Sequence, residues 1–245
     1  MRSDQDTARA VIDRYGTTYS EAAGIRLEDE PAPLFQLLVL ARLLSARIGA
    51  DIAVAAAREL RAEGWTTAAR MREAGRGRVI AALGRGGYRR YDERTATQLR
   101  EMAQLVLDRY GGDLRRLAGA AGGDVASASR LVQEVNGIGP TGAAVFLREV
   151  QVVWPWVQPY LDDRATSGAR RVGLPDDEHR LASLVPTDEL AAFAAALVRV
   201  SLLAKGVDAL GNEPLGNEPL GNAAAGIAVA GGAVAGAAPS RAVVE

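Results

Sequence analysis

The chain has 245 residues, 48% apolar and 24% charged, with a formal net charge of −1, which suits one large or two small domains with real cores. It contains no cysteine, so disulfides and any thiolate-held iron–sulfur cluster are excluded. The neutral sum hides an uneven distribution: from Arg58 to Arg116, 14 arginines stand against 8 acids, which reads either as a solvated helical face or as a phosphate-facing one.

Taken in chain order, the pattern is helical throughout. Ser3 is an N-cap with acids behind it, and a first helix is predicted to run to Tyr15 and stop at Gly16. The acidic, polar N-terminus lacks the character of a secretory signal, and a cytoplasmic, nucleoid-associated protein is expected. Thr17 to Pro33 reads as a polar loop. Pro33 to Arg47 is apolar on most faces and is expected to be a buried central helix. After Gly49, Asp51 is predicted to cap a helix to Glu63, and Thr67 one over Ala68–Ala74. A short helix over Arg78–Leu83 and a flexible loop over Gly84–Tyr88 follow. Asp92–Tyr110 is a long amphipathic helix with Leu99, Met102, Leu105 and Val106 on one face, ended by Gly111-Gly112. A short helix over Asp113–Ala118 and a helix capped by Asp124 come next.

The densest information lies between Leu131 and Leu174. An apolar helix pattern ends at Val135, Gly137-Ile138-Gly139 forms a turn, and Pro140 opens a second apolar helix, a position where proline needs no amide partner. Such a turn at a helix N-terminus aims backbone amides outward and can hold a phosphate without a basic side chain. Val150 to Tyr160, with Trp154-Pro155-Trp156 and Pro159, reads as an extended link. Asp162 or Asp163 caps the next helix, and Thr187 a last one through Leu203, in which Lys205, the single lysine, lies just beyond the end. From 207 to 245 the composition changes to a tandem Gly-Asn-Glu-Pro-Leu repeat and a run of Ala, Gly, Val and Ile. That run is too short and glycine-rich for a membrane span and is expected to be a disordered tail. The body is therefore expected to be all-α.

Three stretches in order resemble the helix-hairpin-helix DNA glycosylases of the endonuclease III type, the HhH-GPD superfamily. Pro33 to Arg47 is similar to that family's helix ending in Leu-Leu-Ser-Ala-Gln. Val135-Asn-Gly-Ile-Gly-Pro-Thr-Gly-Ala143 is similar to its hairpin. Leu161-Asp162-Asp163-Arg164 followed by Arg170-Arg171-Val172-Gly173-Leu174 is similar to its catalytic helix. The resemblance implies two helical lobes with a cleft between them. One is 36–148, carrying the helix-hairpin-helix over about 124–150; the other combines 1–35 with 149–206. It also implies a monomer that binds double-stranded DNA containing a damaged or mismatched base and acts in base excision repair, with no cofactor.

Residue by residue, the resemblance assigns the catalytic carboxylate to Asp162, with Asp163 as its rival. It assigns DNA contacts to Gly137, Ile138, Gly139 and Thr141, the gap-filling side chain to Arg47, and a DNA-facing loop to Tyr88. Each has a plainer reading: the aspartates as helix caps, Arg47 as a surface arginine, Tyr88 as a tyrosine at the edge of the core. Where bifunctional relatives carry a Schiff-base lysine, this chain has Thr141, so the expected enzyme is a monofunctional glycosylase that hydrolyses the N-glycosidic bond without lyase activity. The iron–sulfur cluster of many relatives is missing, and Arg164 replaces a histidine. His179, alone in an acidic loop, is expected at the surface, and no cluster has transition-metal spacing. The hairpin carbonyls are a candidate for a monovalent cation. The alternative is a non-catalytic, lesion-sensing DNA-binding protein, and beyond it an adaptor whose hairpin binds another protein.

Overall fold

The computed structural model describes residues 3–204 and 208–211, and among them every regular element is a helix. Lys205 and nearly all of the 207–245 tail lie outside the described residues. Helix α1 (Asp4–Tyr15) starts at a capping box in which Ser3 and Asp6 satisfy each other's free amides. A short α2 (Tyr19–Ala22) follows inside the stretch expected to be a loop; Thr18 and Glu21 form a second capping box. Helix α3 (Pro31–Leu44) begins two residues earlier than its apolar pattern suggested and buries ten of its residues, Leu34 to Leu44. Helix α4 (Ala50–Ala62) is preceded by Gly49 as cap, and Asp51 lies inside its first turn.

Thr67 caps α5 (Ala68–Glu73), accepting from the Arg70 amide at 3.3 Å. Helix α6 (Arg76–Arg85) is longer at both ends than expected and takes in Gly84. Helix α7 (Asp92–Tyr110) has the expected bounds and stops at Gly111, which is left-handed. Then come α8 (Arg115–Ala121), α9 (Val125–Gln133) capped by Asp124, and α10 (Pro140–Val150) with proline at its first position. A single 3₁₀ turn, Pro155–Val157, lies in the link. Asp162 caps α11 (Asp163–Arg171). The acidic loop around His179 contains α12 (Glu178–Ala182), capped by Asp177. A 3₁₀ turn, Thr187–Glu189, leads into α13 (Leu190–Leu202) without a side-chain cap.

The buried side chains form two clusters. The larger draws on α3 to α10 and the link, from Ala23 to Val157. The smaller joins α1, α11, α12 and α13. Two glycines set the closest helix approaches. A Cβ at Gly142 would overlap the Ser45 hydroxyl, so α10 rests directly on the end of α3. A Cβ at Gly168 would overlap the Leu197 carbonyl, so α11 lies backbone against backbone on α13. Glu149 ties α2 to the end of α10: its buried carboxylate accepts from the Tyr19 and Ser20 amides at 2.8 and 2.9 Å and from the Ser20 hydroxyl. Among the described residues no helix is long and apolar enough to cross a membrane.

Candidate functional site

The turn between α9 and α10 is held from inside and open outside. Val135 and Ile138 are buried and bonded through Ile138 N–H to Val135 O at 2.9 Å. Gly137 and Gly139 are exposed. Gly137 has φ +88°, a conformation that favours glycine. Gly139 caps α10 without a side-chain bond, and the amides of Gly139, Thr141 and Gly142 find no acceptor among the described residues. These are the orphan donors of a helix N-terminus, and together with the helix dipole they favour an anion. Thr141, half-buried in the first turn, has no group able to form a Schiff base.

Behind the turn lies a residue that sequence reasoning missed. Arg42 of α3 is only 6% exposed. A Cβ on Gly137 would stand 2.8 Å from the Arg42 Cζ, so the guanidinium fills the space that glycine leaves. Its Nη2 donates to Gln98 Oε1, while its Nε has no partner. Gln98 Nε2 donates to Asn136 Oδ1 at 3.2 Å, and Asn136 Nδ2 to Glu101 Oε2 at 3.1 Å, which ties the turn to α7. Burial pushes the Arg42 pKa down; the nearby Tyr88 opposes this and the positive charge of Arg94 adds to it. The signal was present: one charge inside Val39-Leu-Ala-Arg-Leu-Leu44.

Tyr88, expected on a DNA-facing loop, is instead fully buried, its hydroxyl 3.4 Å from Thr95 Oγ1. Gly86 and Gly87 turn the chain inward there because Gly86 packs on the Ala56 backbone. Arg47 is exposed, two residues beyond the Ser45 that rests on Gly142, and so at the hairpin end of α3. Part of the arginine-rich middle is paired: Arg76 with Glu93, Arg78 with Glu63, Arg85 with Glu59 and Glu63, Arg109 with Glu134 and Arg115 with Asp113. Exposed Arg89, Arg90 and Arg94 form no ion pair among the described residues. Between α5 and α7, Arg72, Thr97, Arg100, Glu101 and Gln104 line an open pocket of about 360 Å³.

The two aspartates differ. Asp163 is exposed in the first turn of α11. Asp162 has a side chain 16% exposed and both oxygens engaged: Oδ1 accepts from the Ala165 amide at 3.1 Å, and Oδ2 from Nη1 of Arg148, itself 7% exposed. Gln151, fully buried, holds the approach to this carboxylate. Its Nε2 donates to the carbonyls of Arg148 and Tyr160, and its Oε1 accepts from the Tyr160 amide at 3.0 Å. Burial, with the Asp162 charge added, pushes the Tyr160 phenol up to about 12. Arg148 lies eight residues beyond Pro140 on α10, so its Cα stands about 12 Å along the helix axis from the turn, at 1.5 Å per residue. His179 is exposed in the first turn of α12, at the surface as expected, and among the described residues no group of acids and histidine is arranged to hold a metal ion.

These features define an all-helical protein with an open hairpin turn and a buried acid–arginine pair at opposite ends of one helix. The chain is similar to a solved structure described as a trapped endonuclease III–DNA covalent intermediate, an estranged-adenine complex. The two are 17% identical over 81% of this chain and 85% of that chain, with a TM-score of 0.44. No family model and no curated protein matches the chain.

Proposed function

We propose that this chain binds the backbone of double-stranded DNA at the Gly137–Gly139 turn and serves base excision repair. The observation that carries the reading is the open turn itself. Three unpaired amides lie at the N-terminus of an 11-residue helix, and the Arg42 guanidinium lies against Gly137 of the same turn. The ordered motifs of the sequence support the finer reading, a monofunctional DNA glycosylase acting on a damaged or mismatched base. Asp162 is its carboxylate and Asp163 the runner-up.

The rise of about 12 Å along α10 from the turn to the arginine that holds Asp162 corresponds to a few nucleotides of one strand at 3.4 Å each. A nucleotide swung out of the duplex beside a gripped phosphate can thus reach the α11 end. As the N-glycosidic bond breaks, positive charge develops on the sugar. The Asp162 carboxylate stabilises that charge, and water completes the hydrolysis. Thr141 offers no amine, so the strand stays intact. For this chemistry the Arg148 bond to Oδ2 must loosen, because a carboxylate already neutralised by a guanidinium does little for a second cation.

A second reading is favoured by that pair: with both Asp162 oxygens engaged, the chain is a non-catalytic, lesion-sensing DNA-binding protein. Base release from duplexes carrying alkylated, oxidised or deaminated bases decides between them. The enzyme releases a base with the wild type and loses at least about a hundredfold in rate with Asp162→Asn. Equal, zero release by both proteins, with DNA affinity retained, leaves the sensor. Affinity without salt dependence removes both readings.

A further inference from the structure

We infer that Arg42 is a buried counter-charge for a phosphodiester seated on the outer face of Gly137, a site of attraction that never touches its ligand. The inference rests on the DNA-binding reading above and adds to it a residue that the motifs do not include. Arg42 is 94% removed from water, and among the described residues no carboxylate forms an ion pair with it. A buried guanidinium in that state is costly. Its nearest polar company is the neutral amide of Gln98 and the phenol of Tyr88, with Arg94 adding a like charge. The only acid on its hydrogen-bond chain, Glu101, is reached through two intervening amides and is exposed.

The Gly137 backbone lies directly against the guanidinium. Gly137 is exposed on one face, and on the other any Cβ would overlap Arg42. The wall is thus as thin as a polypeptide allows. Attraction across it is weakly screened, because water is excluded from the near side. A phosphate held by the Gly139, Thr141 and Gly142 amides supplies the anion that the fold leaves out. The turn therefore grips harder than its amides alone account for, and it does so without reading sequence.

The test uses the full chain and three proteins: wild type, Arg42→Met and Arg42→Lys. Binding of a labelled duplex is followed between about 50 and about 200 mM salt. For Arg42→Met we expect roughly tenfold weaker binding to every duplex and a log–log salt slope shallower by roughly one; Arg42→Lys recovers most of both. The free Arg42→Met protein should melt no lower than wild type, since an unpaired buried charge has been removed, and should gain less in Tm when duplex is added. The inference is overturned if wild type binds DNA and Arg42→Met matches it in affinity and slope. It is equally overturned if Arg42→Met melts several degrees lower, or fails to fold, and Arg42→Lys does not restore binding. If wild type binds no duplex, the DNA reading fails by itself. Arg42 is then judged on inorganic phosphate: a larger Tm gain for wild type than for Arg42→Met sustains the counter-charge, and equal gains remove it.

Discussion

Two arginines of this molecule are equally buried and oppositely served. Arg148, near the end of α10, meets the Asp162 carboxylate. Arg42, beneath the start of the same helix, meets only neutral groups, the Gln98 amide and the Tyr88 phenol. At one end the charge is cancelled inside the fold; at the other it remains for something outside. A buried ion pair adds little net stability but is costly to break, whereas an unpaired buried charge costs stability until a partner arrives. The comparison separates, at the two ends of one helix, a charge answered within the fold from one that is not.

The largest expected effect is on the paired end. Arg148→Met strands the Asp162 carboxylate and should destabilise the chain by about 3 kcal/mol, read from urea unfolding. Adding Asp162→Asn should return part of that loss, a coupling of about 1–2 kcal/mol in a double-mutant cycle. Purely additive losses would show that the pair is not a unit. Next comes Gly137→Ala, which combines a left-handed backbone with overlap on Arg42. A loss of about 2 kcal/mol is expected, with weaker DNA binding. An unchanged midpoint would place the guanidinium elsewhere.

A smaller effect is expected at high pH. The Tyr160 phenol titrates at about 12 in the fold, against about 10 in an open chain. The folded state therefore holds its proton longer, so this contribution to stability is intact below pH 10 and declines as pH rises through about 12. Tyr160→Phe should flatten the alkaline fall in unfolding free energy; an identical fall in both proteins would remove Tyr160 from the account. The smallest change is the melting temperature of free Arg42→Met, expected at or slightly above that of wild type. A clear drop would make the two arginines alike and end the contrast.

Much of this architecture was legible residue by residue. Alternating apolar faces placed α7 at its observed bounds, and Ser3, Thr67 and Asp124 were read correctly as caps because a short polar side chain beside free amides has a local role. The same rule, applied to Thr18 and Glu21, would have revealed α2 inside the supposed loop. Asp51 misled because an acid in a first turn and an acid at a cap have similar sequence signatures, and Gly49 took the cap position.

The candidate site was only half legible. The turn Gly137-Ile-Gly139 announces itself through glycine conformation and the following proline, which are local matters. Tyr88 did not follow its local signal: the Gly-rich loop that suggested exposure packs onto Ala56 and draws the ring into the core. Gln151 carries no local signal; its amide is engaged only because the chain folds back through Tyr160.

By itself, then, the amino-acid order determined the helices, their caps and the bend that opens α10, because each depends on contacts within a few residues. The tertiary structure decided which charges meet. Arg42 and Gly137 are far apart in the chain, and so are Arg148 and Asp162 by the measure of a helix turn. Whether a buried arginine finds an acid or a neutral amide depends on how whole helices cross. At those crossings, Gly142 on Ser45 and Gly168 on Leu197, the fit of entire elements settles the partner of each charge.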